Sequence, residues 1–329
     1  MMAMKQTTLG PSGIRCSAIG LGTWAMGGWM WGGNDDRAAI GAIHASLDAG
    51  VTLIDTAPAY GLGQSERLVG QALKGRREQA VIATKCGLVW HTDKGTHFFD
   101  EDGRPVHRHL GRDSIFFEVE QSLKNLQTDH IDLYITHWQD STTPVAETMD
   151  ALLTLKRQGK IRAIGVSNVD TATLAEYLRH GPVDAAQERY SLIDRDIEKS
   201  LAPLCQANGV AVMGYSSLAL GLLAGLIDPA RQFGGDDQRA GNPRFSPGNR
   251  ARLSAFFASL EPLRRSAGCS FSELMIAWTL AHGSVSMALC GARTADQARQ
   301  NAAAGALSLA ASELAQIDGA ARQHLAALA

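Results

Sequence analysis

Asp55, Tyr60, Lys85 and His137 are residues of this 329-residue chain whose types could act together on a proton. A phenol has an ordinary pKa of about 10, so an unaided tyrosine is a poor acid at neutral pH. An ammonium beside it stabilises the phenolate and lowers that value. Lys85 can supply the ammonium, Asp55 can hold Lys85 charged and fixed, and His137 can hydrogen-bond a reacting oxygen and orient it. Such a proton donor suits addition to a carbonyl, with the proton going to the oxygen. None of the four side chains can deliver two electrons, so a hydride must come from outside, which points to a nicotinamide.

For these residues to meet, the chain must bring together four distant segments. Short apolar runs occur at 18–22, 51–55, 81–85, 131–137, 163–167, 183–187, 210–215 and 286–290. Between them lie stretches of helical spacing at 36–50, 65–75, 112–126, 143–160 and 196–209, several closing on glycine, with Ser65 as the expected cap of the second. Eight strand–helix alternations imply a parallel sheet with covering helices. In a chain of this length they fit an α/β (β/α)8 TIM barrel better than an open sheet. Residues 4–17 read as an N-terminal β-hairpin, and the Ala-rich 311–326 as an extra C-terminal helix on the outside. No change of composition divides 1–329 into separate domains.

Chemistry in such a barrel gathers at the C-terminal ends of the strands. The expected strands end in Asp55, Lys85, His137, Ser167 with Asn168, Gln187, Tyr215 with Ser216, and Gly291 leading to Arg293. Tyr60 follows Asp55 through a turn built from Pro58, Gly61 and Gly63. One polar residue at a strand end is ordinarily a cap; so many on one rim make a shared site the better account. The competing reading is an Asp55–Lys85 ion pair that fills the barrel mouth, with Tyr60 packed above it. The long interruptions 23–34, 88–112 and 216–250 each follow a strand, where a barrel places its site-forming loops.

The net charge of −2 and the dispersed basic residues give no nucleic-acid footprint. No run of apolar residues is long enough to span a membrane, and the N-terminus lacks the apolar core of a secretory signal. The five cysteines are scattered without a C-x-x-C pair, as expected of reduced core thiols in a cytoplasmic protein. Cys86, beside Lys85, is the candidate for a reactive thiol.

The sequence resembles the aldo-keto reductases over nearly its whole length. The resemblance is carried by "GLGTW" (20–24), "DTAPAYGLGQSERLVGQAL" (55–73), "ATK" (83–85), "LYITHW" (133–138), "GKIRAIGVSN" (159–168) and "GARTADQARQN" (291–301). It implies a catalytic tetrad of Asp55, Tyr60, Lys85 and His137, with Tyr60 as general acid. It also implies a nicotinamide site at Gly22, Thr23, Trp24 and Asp55, with Ser167, Asn168 and Gln187 on the carboxamide and Tyr215 under the ring. Ser216, Ser217, Leu218, Leu220 and Gly221 match the pyrophosphate segment. Gly291 allows close backbone approach, Arg293 meets a 2′-phosphate, and Gln297 and Asn301 hold the adenosine. The implied cofactor is NADPH/NADP+, with NADH less favoured. The Rossmann fingerprint is absent: Gly61 and Gly63 are followed by Glu66.

The chain departs from the family pattern at Gln139, Val169, Cys290 and Gln300, none of them in the tetrad. Gln139 stands in the loop next to His137 and so bears on substrate fit. Trp24, Trp29, Trp90 and Trp138 are the expected substrate wall, joined by Tyr60 and His137; flat aromatic walls suit the apolar faces of sugars and simple aldehydes. The segment 88–112 carries His91, His97, His107 and His109 without a standard metal-ligand spacing, so no metal is expected; it reads as a mobile loop over the substrate. The resemblance is nearest to bacterial reductases associated with sugar and inositol use. Two functions follow: a reversible reductase of an aldehyde, ketone or sugar carbonyl, or a nicotinamide-binding regulatory subunit with little turnover. The intact tetrad favours the reductase. The partner implied is a small molecule, and the oligomeric state is left open.

Overall fold

The computed structural model describes residues 4–227 and 231–328; residues 228–230 of the third long loop lie outside the described residues, as do the chain ends. β1 (Gln6–Leu9) and β2 (Ile14–Ser17) form the expected antiparallel hairpin, with Thr8 opposite Arg15. Eight parallel strands then close a barrel. These are β3 (Ile19–Gly22), β4 (Leu53–Asp55), β5 (Val81–Cys86), β9 (Ile131–Thr136), β10 (Ile161–Ser167), β11 (Ala185–Arg189), β12 (Ala211–Tyr215) and β13 (Met287–Gly291). β6 (Leu88–Val89), β7 (Thr96–Glu101) and β8 (Arg104–Arg108) lie between β5 and β9 in sequence.

Strand side chains alternate between faces, and this parity positions the site. Leu53, Ala83, Leu133, Ile135, Ala163, Ala185, Met213 and Leu289 pack together inside the barrel. Two residues further along each strand, the same inward face delivers Asp55, Lys85, His137, Ser167 (by way of Gly165), Gln187, Tyr215 and Gly291. The alternate residues Ile54, Ile82, Tyr134, Ile164, Ala186 and Val212 face the helices. Leu9 and Cys16 of the hairpin join the interior cluster, so the hairpin plugs the floor and leaves the opposite rim for chemistry.

The covering helices are α1 (Asp36–Asp48), α2 (Gln64–Ala72), α3 (Arg112–Leu126), α4 (Val145–Arg157), α5 (Thr171–His180), α6 (Leu201–Ala207), α8 (Phe271–Ala281) and α9 (Ala295–Ala303). Asp35, Asp170, Ser270 and Thr294 cap α1, α5, α8 and α9 with side-chain acceptors. Two more helices, α7 (Pro247–Ala267) and α10 (Ala311–His324), pack against each other outside the ring. α10 is the expected terminal helix, whereas α7 was not expected from the sequence.

Two local expectations are corrected. Ser65 is not a helix cap: α2 begins after Gly63, whose φ of +89° suits glycine, and Ser65 is fully buried. The segment 88–112, read as a mobile loop, carries a three-stranded antiparallel sheet in the order β6-β8-β7, its strands lying within Leu88–Arg108. Asp102 and Gly103, both at positive φ, make the tight turn between β7 and β8.

Among the described residues no helix is long and apolar enough to cross a membrane. All five cysteines are buried and unpaired. Burial, with help from the Glu118 carboxylate, pushes the Cys86 thiol well above its ordinary value, which removes it as a reactive thiolate.

Candidate active site

The four sequence-predicted residues meet at the barrel mouth. Lys85 Nζ donates to Asp55 Oδ1 and Oδ2 at 2.8 and 2.9 Å, to the Thr56 carbonyl at 2.8 Å and to the Tyr60 hydroxyl at 3.2 Å. Lys85 is 0% and Asp55 4% exposed, so the pair is shielded from the water that weakens surface ion pairs. The His137 ring stands edge-on to Tyr60, with centroids 5.8 Å apart and planes at 82°. A backbone hydrogen bond of 2.8 Å from His137 to the Cys86 carbonyl continues the β5–β9 pairing and fixes that position.

The Tyr60 turn is set by close backbone approach. Gly61 has a φ of +67°, and a Cβ there would lie 2.2 Å from the Gly27 carbonyl oxygen. A Cβ at Gly27 would lie 2.5 Å from the Tyr60 carbonyl carbon. Only glycines allow the two loops to touch in this way. Beneath them, Thr23 and Ser65 hydroxyls lie 2.6 Å apart, Ser65 and Thr56 hydroxyls 3.0 Å apart, and Thr23 Oγ1 donates to the Asp55 carbonyl at 3.0 Å. The Thr23 hydroxyl therefore braces the loop from within.

Burial governs the electrostatics. It pushes the Tyr60 phenol well above its ordinary value, reinforced by the Asp55 carboxylate and Tyr215. This corrects the expectation that Lys85 would lower it: in a dry site the cost of desolvating a phenolate outweighs the ammonium. Tyr60 is thus held as the protonated form. Burial also draws Lys85 below its ordinary value, with Asp55 opposing, and takes His137 well below its own, reinforced by Lys85. His137 is therefore a neutral imidazole that can donate or accept one hydrogen bond.

The remaining strand ends are laced together. Gln187 Nε2 donates to Asp55 Oδ1 at 2.7 Å, and Ser167 Oγ to the Gln187 carbonyl at 2.7 Å. Asn168, at φ +55°, donates to the His137 carbonyl at 2.9 Å and accepts from the Tyr215 hydroxyl at 2.8 Å. Gln139, one of the departures, donates to the Ser167 carbonyl at 3.1 Å and accepts from Tyr177 at 2.9 Å, so it bridges β9 and β10.

Beyond β12, Ser216, Ala219, Leu220 and Gly221 all take positive φ. The change of backbone hand from Leu218, at φ −103°, to Ala219, at φ +47°, is the kind that turns successive N–H groups toward an anion. Ser217 Oγ is buried on the Leu289 carbonyl at 3.2 Å, and Leu218 packs against the core. Gly291 closes β13, and Thr294 caps α9. Arg293 Nη1 and Nη2 donate to the Trp31 and Gly33 carbonyls at 3.1 and 2.6 Å, while its backbone N–H donates to Gln297 Oε1 at 2.8 Å. Asn301 is buried, its amide donating to the Gly291 carbonyl at 3.0 Å. Gln297 and Asn301 therefore hold the strand-to-helix turn.

The aromatic wall extends beyond the four tryptophans. Trp24 stacks on Tyr60 at 6.2 Å and meets Trp31 edge-on at 5.5 Å. Trp29 stacks on Phe99 at 4.9 Å, and Trp138 packs on Phe98 at 5.2 Å. Trp90 joins Ala59, Leu88 and Val106 below them. Phe98 and Phe99 escape a strand reading of the sequence because a bulge between His97 and Phe99 turns both toward the wall. The four histidines disperse: His97 faces His107 across the sheet, His91 packs on Phe117, and His109 lies by Asp140.

Comparison with known proteins identifies the family of the fold. The aldo/keto reductase family model matches residues 18–322. The chain is 43% identical over 307 residues to an NADH-specific methylglyoxal reductase of Escherichia coli (strain K12), covering 92% of this chain and 93% of that one. The glycerol dehydrogenase AKR11B4 from Gluconobacter oxydans superposes with a TM-score of 0.88 at 36% identity, covering 98% of this chain and 97% of that one. An aldo-keto reductase from Klebsiella pneumoniae in complex with NADPH gives 0.72 at 30%, covering 98% and 96%. The chain belongs to the aldo/keto reductase family and is a nicotinamide-dependent oxidoreductase.

Proposed function

We propose that this protein reduces an aldehyde, ketone or sugar carbonyl to the alcohol, reversibly, with Tyr60 as the proton donor. The observation that carries the reading is the 3.2 Å contact of Tyr60 with Lys85, itself held by both oxygens of Asp55. When bound, a reduced nicotinamide supplies the hydride that the carbonyl carbon receives. Tyr60 gives its proton to the carbonyl oxygen, so that hydride plus proton convert C=O to CH–OH. Lys85 stabilises the phenolate left behind, and Asp55 keeps Lys85 charged. Neutral His137 donates a hydrogen bond to the same oxygen and fixes its direction.

The residues present fit a nicotinamide dinucleotide. The positive-φ residues Ala219, Leu220 and Gly221, with Ser216 before them, would offer N–H groups to a pyrophosphate, and the N-terminus of α9 would add its own. Ser167, Asn168 and Gln187 would hold the carboxamide, and Tyr215 would lie under the ring. Gly22 and Trp24 would border it. Arg293 would favour NADPH through a 2′-phosphate, since guanidinium matches phosphate bidentately. A relative named for NADH specificity keeps NADH as the second candidate.

The test is oxidation of NADPH and of NADH with a panel of aldehydes, aldoses and ketones, and the reverse reaction with polyols. Turnover of at least one carbonyl supports the reading. Tight nicotinamide binding with no turnover in either direction would instead favour a sensor.

A further inference from the structure

Arg108 is a cation with no counter-charge on the substrate wall. It ends β8 directly opposite Leu88, and Val106 lies two residues before it on the same face. Leu88 and Val106 pack with Ala59, Trp90 and Trp138, neighbours of Tyr60 and His137. Parity therefore turns Arg108 toward the barrel mouth. Its guanidinium lies over Phe98, 5.1 Å from the ring centroid, and Phe98 packs on Trp138 at 5.2 Å. Its Nε is buried and has no hydrogen-bond partner, and no carboxylate among the described residues pairs with the group.

The other arginine stacked beside this mouth behaves differently: Arg239 lies over Trp31 and is also paired with Asp237 at 2.6 Å. An arginine is normally retained in an apolar wall only with hydrogen-bonding partners for its fork, because an unpaired buried N–H is costly. A planar anion is the partner whose geometry a guanidinium prefers.

Resting on the reductase reading of the same site, we propose that Arg108 recognises an anionic group, a carboxylate or phosphate ester, on the substrate. The carbonyl end meets Tyr60 while the anionic end reaches Arg108, with the aromatic rings along the carbon chain between them. This narrows the substrate class to short carbonyl compounds with a charged tail. It makes Arg108 a specificity-determining residue that does not act on the reacting atoms.

The experiment compares matched pairs: succinic semialdehyde against butanal for a carboxylate, and glyceraldehyde 3-phosphate against glyceraldehyde for a phosphate. Wild type and Arg108→Met are assayed, with Arg108→Lys as the conservative variant. The expected result is a wild-type preference for one anionic member, and a roughly 10- to 100-fold loss of its kcat/KM in Arg108→Met, carried by KM. Arg108→Lys restores part of that loss, and the neutral aldehydes are unaffected. The pair that responds identifies the tail.

Equal loss for charged and neutral members, or no wild-type preference in either pair, overturns the proposal. A readout independent of turnover is tryptophan fluorescence titrated with succinate and with inorganic phosphate. Wild type should bind at least one of them more tightly than Arg108→Met does, and equal binding also overturns it. Failure of every aldehyde to react, with anion binding intact, refutes the reductase reading and leaves the anion site standing.

Discussion

Lys85 touches both oxygens of Asp55, at 2.8 and 2.9 Å, and also lies 3.2 Å from the Tyr60 hydroxyl. One ammonium is therefore a buried ion-pair partner and, in the proposed mechanism, also the stabiliser of a phenolate. The two roles separate under mutation.

Removing only one member of the pair leaves a charge stranded in a dry site. Lys85→Met should lower stability by about 3–5 kcal/mol, because Asp55 loses its cation. The double variant Asp55→Asn with Lys85→Met should recover most of that stability while turnover stays absent. Urea unfolding of the three proteins, beside carbonyl reduction, checks both halves. Recovery of activity in the double variant would contradict the catalytic role of the pair.

The proposed preference for NADPH rests on Arg293. It already donates to the Trp31 and Gly33 carbonyls, so Arg293→Ala removes a strap on the first loop as well as a candidate phosphate contact. NADPH should lose about tenfold or more in affinity, and NADH distinctly less, by direct binding. Equal losses would mean that Arg293 acts only on the loop.

A buried acid outside the site gives a pH signature. Glu118 accepts from the Gly87 N–H at 2.9 Å, two residues beyond Lys85, and burial raises its carboxyl to about 8. Its folded pKa lies above its unfolded value, so the native state binds the extra proton. The stabilisation is complete below the ordinary carboxyl range and is lost as pH rises toward about 8. Glu118→Gln keeps an acceptor for Gly87 and removes the titration. Glu101 and Glu188, each raised to about 7, titrate in the same window, so both proteins should lose stability between pH 5 and pH 8, and the wild type should lose more than the variant by on the order of a few kcal/mol. Urea midpoints at the two pH values decide it; parallel curves would contradict the assignment.

Much of this arrangement is legible in the sequence because strands have period two. Leu53 and Asp55, Ala83 and Lys85, and Leu133, Ile135 and His137 share faces, so a strand with a buried inner face must deliver its last polar residue to the mouth. Less legible was what depends on distant contacts. The sheet at 88–108 carries charge and histidine through its strands, which hides the alternation, although Asp102-Gly103 is a hairpin signal. α7 spreads its buried Leu253, Phe256, Leu260 and Leu263 among arginines and around Pro262, so its apolar face is thin. The protonated state of Tyr60 comes from its depth, and residue types alone suggested the opposite shift.

The most direct test of the central claim is Tyr60→Phe. The variant keeps the ring against Trp24 and loses only the hydroxyl that meets Lys85. With a carbonyl substrate that the wild type turns over, nicotinamide binding should be unchanged. The reduction rate kcat should fall by about 100- to 10,000-fold, the contribution of a positioned proton donor. A Tyr60→Phe enzyme that reduces the same carbonyl at a near-normal rate would contradict the account.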